Sequence, residues 1–321
     1  MNHQPILSIV VPCHNEEETL HPFLDEVLKI KDQLAQVQFE VLFINDGSTD
    51  RTLEVMKELH DRYPQLVYYL SFSRNFGKEA GIIAGLEHVS GDYVAIMDAD
   101  LQDPPSMLVE MYEGITKEGY DVVATRRVDR QGEPPIRSFF ANAYYKINNF
   151  ISDVHLEEGA RDFRLMTRQV VDAVLALPER NRFSKGIFSW VGFDVKYLDY
   201  ENVERVAGET SWSFFSLFKY ALEGIVNFSD FPLNLASWVG MITFLGAIIY
   251  GIYIIIHTLT FKTNPPGWPT LAVLVVGMGG LQLFCLGIVG KYIAKIFIEG
   301  KQRPLYLTKE AKLPYREKEN V

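Results

Sequence analysis

The sequence predicts an α/β domain, a mainly parallel sheet with helices on both faces, followed by a two-helix transmembrane hairpin. Two observations predict it. The first roughly 200 residues alternate short apolar runs with helix-like segments, the order that builds a parallel sheet through helical crossovers. Further on, residues 235–259 and 270–290 carry no Asp, Glu, Lys or Arg. Each stretch is long enough to cross about 30 Å of hydrocarbon as a helix rising about 1.5 Å per residue. One such stretch also fits a buried core helix; two in succession argue against it.

Taken in order, the first strand covers 7–11 and ends at Pro12. A helix is expected after Asn15, with Glu16, Glu17 and Glu18 in its first turn, where the helix dipole favours anions. Residues 39–44 form the second strand, and 45–50 turn into a helix reaching about His60. Strand three is 66–72, followed by a helix over 77–89. Strand four is 93–97, followed by a helix over 105–117, and strand five is 121–125. Residues 213–228 place Phe214, Leu217, Phe218, Ala221, Leu222 and Ile225 at helical spacing. That segment suits an amphipathic helix in the membrane interface, and a plain core helix equally. The expected division is an α/β domain over 1–210, a juxtamembrane helix over 211–230, two spans over 231–298 and a tail over 299–321.

The link between the spans, 261–269, is rich in Pro and carries one Lys, whereas Lys291, Lys295, Lys301 and Arg303 follow the second span. The positive-inside bias puts both termini in the cytoplasm. The first residues lead straight into a strand-like segment, so no signal peptide is expected. A net charge of -10 argues against a nucleic-acid partner. Cys13 and Cys285 fall in a strand end and a span, which predicts neither a disulfide nor a metal cluster.

Ligands of parallel α/β sheets bind at the carboxyl ends of the strands. Those ends read Pro12-Cys13-His14-Asn15-Glu16, Asn45-Asp46-Gly47-Ser48, Ser73 to Lys78, Asp98-Ala99-Asp100 and Arg126 to Arg130. Any one is an ordinary solvated turn; five on one edge point to a substrate site. Asp98 and Asp100 are two residues apart on an extended chain and so share a side. Paired carboxylates suit a hard divalent cation, Mg²⁺ or Mn²⁺, bridging the phosphates of a nucleotide.

These motifs, with Leu101-Gln102-Asp103-Pro104-Pro105, Arg161-Asp162-Phe163-Arg164-Leu165, Trp190-Val191-Gly192-Phe193 and Arg205-Val206-Ala207-Gly208-Glu209-Thr210, resemble the family-2 glycosyltransferases. Within them the chain is similar to the polyprenyl-phosphate glycosyltransferases, over nearly its whole length. The resemblance implies a GT-A, Rossmann-like fold and transfer of a sugar from a nucleotide sugar to a lipid phosphate. It implies that Pro12, Glu16 and Asp46 surround the base and ribose, that Lys78 belongs to the substrate site, and that Asp98 and Asp100 flank the diphosphate, Asp100 being the direct metal ligand. Asp162 matches the position assigned as catalytic base. Arg127 and Arg130 match basic residues over the acceptor phosphate, and Arg205 a basic residue near the diphosphate. Many relatives read Gly-x-Ser-Lys-aromatic where this chain has Gly208-Glu209-Thr210-Ser211-Trp212, so no phosphate-binding cation is assigned at Ser211.

A lipid phosphate monoester, with a second pKa of about 6, is mostly dianionic at pH 7 and hardly needs a strong base. Asp162 is therefore expected either to take a residual proton or to orient the acceptor or the arginines; a salt bridge with Arg161 or Arg164 is the remaining reading. The bacterial members favour UDP-glucose or UDP-N-acetylglucosamine as donor, undecaprenyl phosphate as acceptor, an inverting reaction in cell-envelope glycan modification, and a homo-tetramer in the cell membrane. Two alternatives stand beside this reading: a processive polysaccharide synthase, whose Gln-x-x-Arg-Trp motif and extra spans the chain lacks, and a non-catalytic membrane scaffold, against which the carboxylates at 98, 100 and 162 argue.

Overall fold

A computed structural model describes residues 4–128, 146, 148, 149, 154–200, 229, 231–261 and 267–314. The elements are β1 (Ile6–Cys13), α1 (Leu20–Gln33), β2 (Gln38–Asn45), α2 (Thr52–Arg62), β3 (Val67–Phe72), α3 (Lys78–His88), β4 (Tyr93–Ile96), α4 (Met107–Thr116), β5 (Val122–Arg127), β6 (Ala160–Thr167), α5 (Arg168–Leu175), α6 (Ser184–Trp190), β7 (Val195–Tyr200), α7 (Phe231–Phe261), α8 (Trp268–Lys301) and β8 (Thr308–Lys312). Eight strands form one sheet in the order β7-β5-β6-β4-β1-β2-β3-β8.

The central strands are apolar on both faces because both faces are covered. Alternation sends Leu7, Ile9 and Val11 of β1 to one side, where Phe23, Leu24 and Val27 of α1 and Leu108 and Met111 of α4 meet them. Val10 points to the other side, into a cluster with Ile82 and Leu86 of α3, Val170 and Val174 of α5 and Ile187 of α6. Helix α3 lies close on β1: a Cβ at Gly85 would come within 2.0 Å of Val10 Cγ1.

The sheet confirms the α/β expectation and is mixed. The β1–β2, β2–β3, β1–β4 and β5–β7 pairs are parallel. Strand β6 runs antiparallel between β4 and β5, and β8 pairs antiparallel with β3. The five expected strands are present with ends shifted by a few residues; β6, β7 and β8 are additional. One helix starts later than its glutamates imply. Asn15 adopts a left-handed φ of 58°, the Glu16 N–H donates to the Thr52 hydroxyl at 2.8 Å, and the Glu17 N–H to the Asp50 carboxylate at 3.3 Å. The chain leaving β1 is tied to the chain leaving β2 instead of winding, so α1 begins at Leu20 with no acidic residue in its first turn.

Helices α7 and α8 are long and apolar enough to span a membrane over Phe231–His257 and Leu274–Lys301, with mean hydropathies of 2.3 and 1.7. They are antiparallel: the Tyr292 hydroxyl donates to the Ser229 carbonyl at 2.8 Å, and the Cys285 thiol faces the Ala236 carbonyl at 3.9 Å. Their side chains are largely exposed, Ile249 by 69% and Leu283 by 72%, a surface suited to lipid rather than water. The last turn of α8 and the chain beyond it return to the α/β domain. Glu299 accepts the N–H groups of Arg180 and Asn181, each at 2.9 Å. The Tyr306 ring stacks on Phe72 at 4.9 Å and its hydroxyl donates to Glu87. The Ser73 N–H reaches the Leu307 carbonyl at 2.9 Å, and Lys57 pairs with Glu310 at 2.8 Å. Residues 308–312, within the segment assigned to a tail, are thus an edge strand. The juxtamembrane segment 211–228 lies outside the described residues.

A chain ending at Arg303 keeps both helices and loses β8. Its catalytic domain is expected to melt lower in detergent, by about 2–4 °C for each kcal/mol lost, and its β3 amides to exchange faster with deuterium. Unchanged melting and exchange would mean that β8 adds nothing to the sheet.

Candidate active site

The loops leaving β1, β2, β3 and β4 interlock on one edge of the sheet. Asn45, the last residue of β2, donates from Nδ2 to the Ser71 hydroxyl at 2.9 Å and accepts the Ser48 N–H at 3.0 Å. Its side chain thereby starts the turn that the Asx residue favours. Asn15 accepts the Thr49 N–H at 2.8 Å. Asp46 accepts the Phe76 N–H at 2.6 Å and the Gly77 N–H at 2.9 Å, one on each oxygen, which fixes the entry into α3. Gly47, at φ 62°, lets this happen: a Cβ there would lie 2.3 Å from the Arg74 carbonyl carbon and 2.4 Å from the Asn75 nitrogen.

Helix α3 opens with Lys78, and this lysine organises the site. Strands β4 and β6 pair with Ile96 opposite Arg164. Extending that register by two residues sets Asp98 opposite Asp162, and like charges facing each other across strands repel. The Lys78 ammonium lies between them, 2.7 Å from Asp98 Oδ1 and 2.6 Å from Asp162 Oδ2. Burial pushes the Asp162 carboxyl up, but the charges of Lys78, Lys185 and Arg164 outweigh it and hold the group well below the usual carboxylate range. Burial pushes Lys78 down, and Asp162 and Asp98 more than reverse this, so the lysine stays charged beyond its usual range. The cluster faces solvent: the side chains are 42% exposed for Lys78, 31% for Asp98 and 22% for Asp162.

Two braces hold the surroundings. Arg164 is buried, donates to the carbonyls of Asp162 at 3.3 Å and Arg161 at 3.0 Å, and lays its guanidinium 4.0 Å over the Phe188 ring. Arg161 reaches Asp103 at 3.4 Å and Gln102 at 3.4 Å, and the Tyr200 hydroxyl donates to Asp103. Burial pushes Asp103 up from the ordinary carboxylate range even against these donors. On the other side Glu79, next to Lys78, accepts the N–H of Ser184 at 3.0 Å and its hydroxyl, tying α3 to the start of α6.

Of the residues singled out in the sequence, Asp98, Asp162 and Lys78 come together. The ion-pair partner of Asp162 is Lys78 rather than Arg161 or Arg164. Asp100 follows in the same turn, its Oδ1 accepting the Gln102 N–H at 3.2 Å. Ala99 between the two aspartates is buried while both aspartates are partly open, so they share the solvent side. Pro12 lies at the end of β1 beside Gly81 of α3. The Glu16 carboxylate accepts the Thr19 hydroxyl at 2.8 Å within its own turn. Arg127 ends β5 on the opposite strand face from Arg126, which is committed to Glu157 and Asp199, each at 2.7 Å. Arg130 and Arg205 lie outside the described residues. Sequence reasoning misses Glu79, Ser184, Lys185 and Tyr200, because each acts on a partner far along the chain; only the Asp103 partner of Tyr200 and the Asp162 partner of Lys185 stand in recognisable motifs.

Among the described residues no group of three or more His, Cys, Asp or Glu side chains is arranged to hold a metal ion. Asp98 and Asp100 offer hard oxygen donors on one side of a turn. That set fits a cation whose remaining ligands are substrate phosphates and water.

Residues 8–175 match the family model for glycosyl transferase family 2. The chain belongs to this family. It is a glycosyltransferase. It is 46% identical to CsbB of Bacillus subtilis (strain 168), provisionally named a glycosyltransferase, over 98% of this chain and 94% of that one. It is 42% identical to the bactoprenol glucosyl transferase of Shigella phage SfV, over 95% and 99%. Among solved structures, glucosyl-3-phosphoglycerate synthase from Mycobacterium tuberculosis, in complex with Mn²⁺, uridine-diphosphate and phosphoglyceric acid, is 18% identical over 69% of this chain and 76% of its own, with a TM-score of 0.47.

Replacing Gly47 with alanine forces the 45–50 loop off the 73–77 loop. The expected cost is about 1–3 kcal/mol, as for overpacking elsewhere, read from denaturant unfolding, together with weakened nucleotide binding. A wild-type midpoint would show that the two loops are not held in contact.

Proposed function

We propose that this glycosyltransferase moves a hexose from UDP-glucose or UDP-N-acetylglucosamine to undecaprenyl phosphate or a related polyprenyl phosphate. The reaction inverts the anomeric centre, runs on the cytoplasmic face of a bacterial cell membrane and serves cell-envelope glycan modification. The observation that carries the reading is the meeting of Asp98 and Asp162 through Lys78 at the strand ends. It gains weight from the near full-length likeness to a protein named bactoprenol glucosyl transferase.

In this reading Pro12, Glu16 and Asp46 border the base and ribose, Asp46 by shaping the 74–77 loop with the two amides it accepts. Asp100, with Asp98 in support, holds Mg²⁺ or Mn²⁺, which when bound stabilises charge on the departing diphosphate as a Lewis acid. Arg205 adds a planar fork suited to phosphate. Arg127 and Arg130 meet the acceptor phosphate. An oxygen of that phosphate is the nucleophile, attacking from the face opposite the leaving group. Asp162 stays ionised, and its partner Lys78 keeps it from repelling the incoming dianion. It serves to orient the acceptor more than to remove a proton. The hairpin and the contacts of Glu299 and β8 keep the catalytic domain at the bilayer surface, where such a lipid presents its phosphate. The eight Lys and Arg after residue 290, against four acidic residues, favour contact with anionic headgroups.

The test is transfer of radiolabelled sugar to undecaprenyl phosphate in detergent, with a panel of nucleotide sugars and either metal. A monoglycosylated lipid phosphate formed from a UDP-hexose, and lost in chelator and in Asp100→Ala, is the expected result. Growth of a polymer, or no transfer from any donor, overturns the reading. In Asp162→Asn turnover should fall by about 10²-fold or more while UDP still raises the melting temperature; turnover within a few-fold of wild type removes Asp162 from the reaction. Because Asp162 is held below the carboxylate range, its charge persists throughout pH 5–8, roughly the span in which only histidine normally titrates. The acid limb of the wild-type rate should therefore follow the acceptor phosphate, near pH 6; a limb near pH 4 would assign it to a carboxylate instead.

A further inference from the structure

The position of Lys78 carries a role beyond holding substrate. Its ammonium takes both oxygens of Asp98, at 2.7 and 2.9 Å, while also reaching Asp162 at 2.6 Å. A divalent cation on Asp98 and Asp100 needs one of those same oxygens. The backbone beneath Lys78 is fixed on both sides, by Asp46 on the Phe76 and Gly77 amides and by Glu79 on Ser184. The side chain above it is 42% exposed, so adjustment falls to its four-carbon stem.

We propose that Lys78 is a positioning residue that stands in for the metal: it neutralises Asp98 while the donor site is empty, and yields Asp98 to the cation, keeping Asp162, when metal and nucleotide sugar arrive together. The proposal rests on the metal reading of Asp98 and Asp100 given above. A cation arriving alone meets a carboxylate whose charge is already balanced and must displace a bridging ammonium. A cation arriving with a diphosphate brings the negative charge that offsets the displacement. Metal and donor therefore bind cooperatively. The lysine released from Asp98 stays on Asp162 and holds that carboxylate toward the acceptor. Without such a cation, Asp98 and Asp162 would face each other as bare like charges across the ends of β4 and β6.

Isothermal titration of full-length enzyme in detergent with Mn²⁺, with and without UDP, tests this on wild type, Lys78→Met and Lys78→Arg. Without UDP, Lys78→Met is expected to bind Mn²⁺ about tenfold more tightly than wild type, on the scale of a partly exposed ion pair made twice. Lys78→Arg, which keeps the charge, should return toward the weak wild-type affinity. With UDP the three should converge. In sugar transfer Lys78→Met should lose kcat with little change in KM for the nucleotide sugar, and Lys78→Arg should recover part of it. If Lys78→Met does not fold, Lys78→Gln takes its place, with the same expectations. Equal nucleotide-free affinities in wild type and variant, with Mn²⁺ binding intact in the presence of UDP, overturn the role of Lys78 alone. No Mn²⁺ binding by any of them, even with UDP, overturns the metal reading and this proposal with it.

Discussion

Two carboxylates face each other across the ends of two antiparallel strands, and one ammonium keeps them there. Asp98 and Asp162 would repel in that register without Lys78. Much of the surrounding architecture serves that arrangement. Asp46 fixes where α3 begins, so that its first residue lands between the two strands. Arg164 braces the β6 backbone on either side of Asp162 from below, and Glu79 ties the same turn of α3 to α6. The cluster can remain partly open to solvent because its charges balance one another. Openness is what a site for two large substrates requires.

The loops that frame the cluster are tied to one another for a local reason. Their polar side chains spend their hydrogen-bonding capacity on neighbouring backbone amides: Asn15 on Thr49, Asn45 on Ser48, Asp46 on Phe76 and Gly77. Short polar residues compete well with regular structure in this way. The same competition delays α1, whose expected first turn is drawn into the network around Asp50 and Thr52. A sequence rich in Asn and Asp at strand ends thus encodes a mould, with much of its polarity turned inward.

Much of this was legible in the sequence wherever the signal is local. Short, mostly apolar runs mark β1 to β5, and polar residues after each run mark the edge that carries the site. Asp98 and Asp162 stand in recognisable motifs. What connects them does not: Lys78 and Asp162 are 84 residues apart, and nothing local indicates that β6 runs antiparallel beside β4. Ala160–Thr167 carries three charged residues, Arg161, Asp162 and Arg164, which masks its period as a strand. β8 is more hidden still. Thr-Lys-Glu-Ala-Lys has the composition of a solvated tail, and its strand character comes from the open side of β3 and from Tyr306 stacked on Phe72.

That edge strand has a bearing on how the molecule is made. β3 is synthesised early, β8 only after both α7 and α8. Until β8 arrives, one side of β3 is an unpaired edge, a ready template for wrong partners. β8 can arrive only if the hairpin has brought the chain back to the side from which it departed. With α7 and α8 as the proposed transmembrane hairpin, a single span threaded wrongly would leave the strand across the bilayer from its sheet. Pairing of the two antiparallel helices and completion of the sheet are then one event, and in the proposed membrane topology a finished sheet records that both helices end on the side of the catalytic domain.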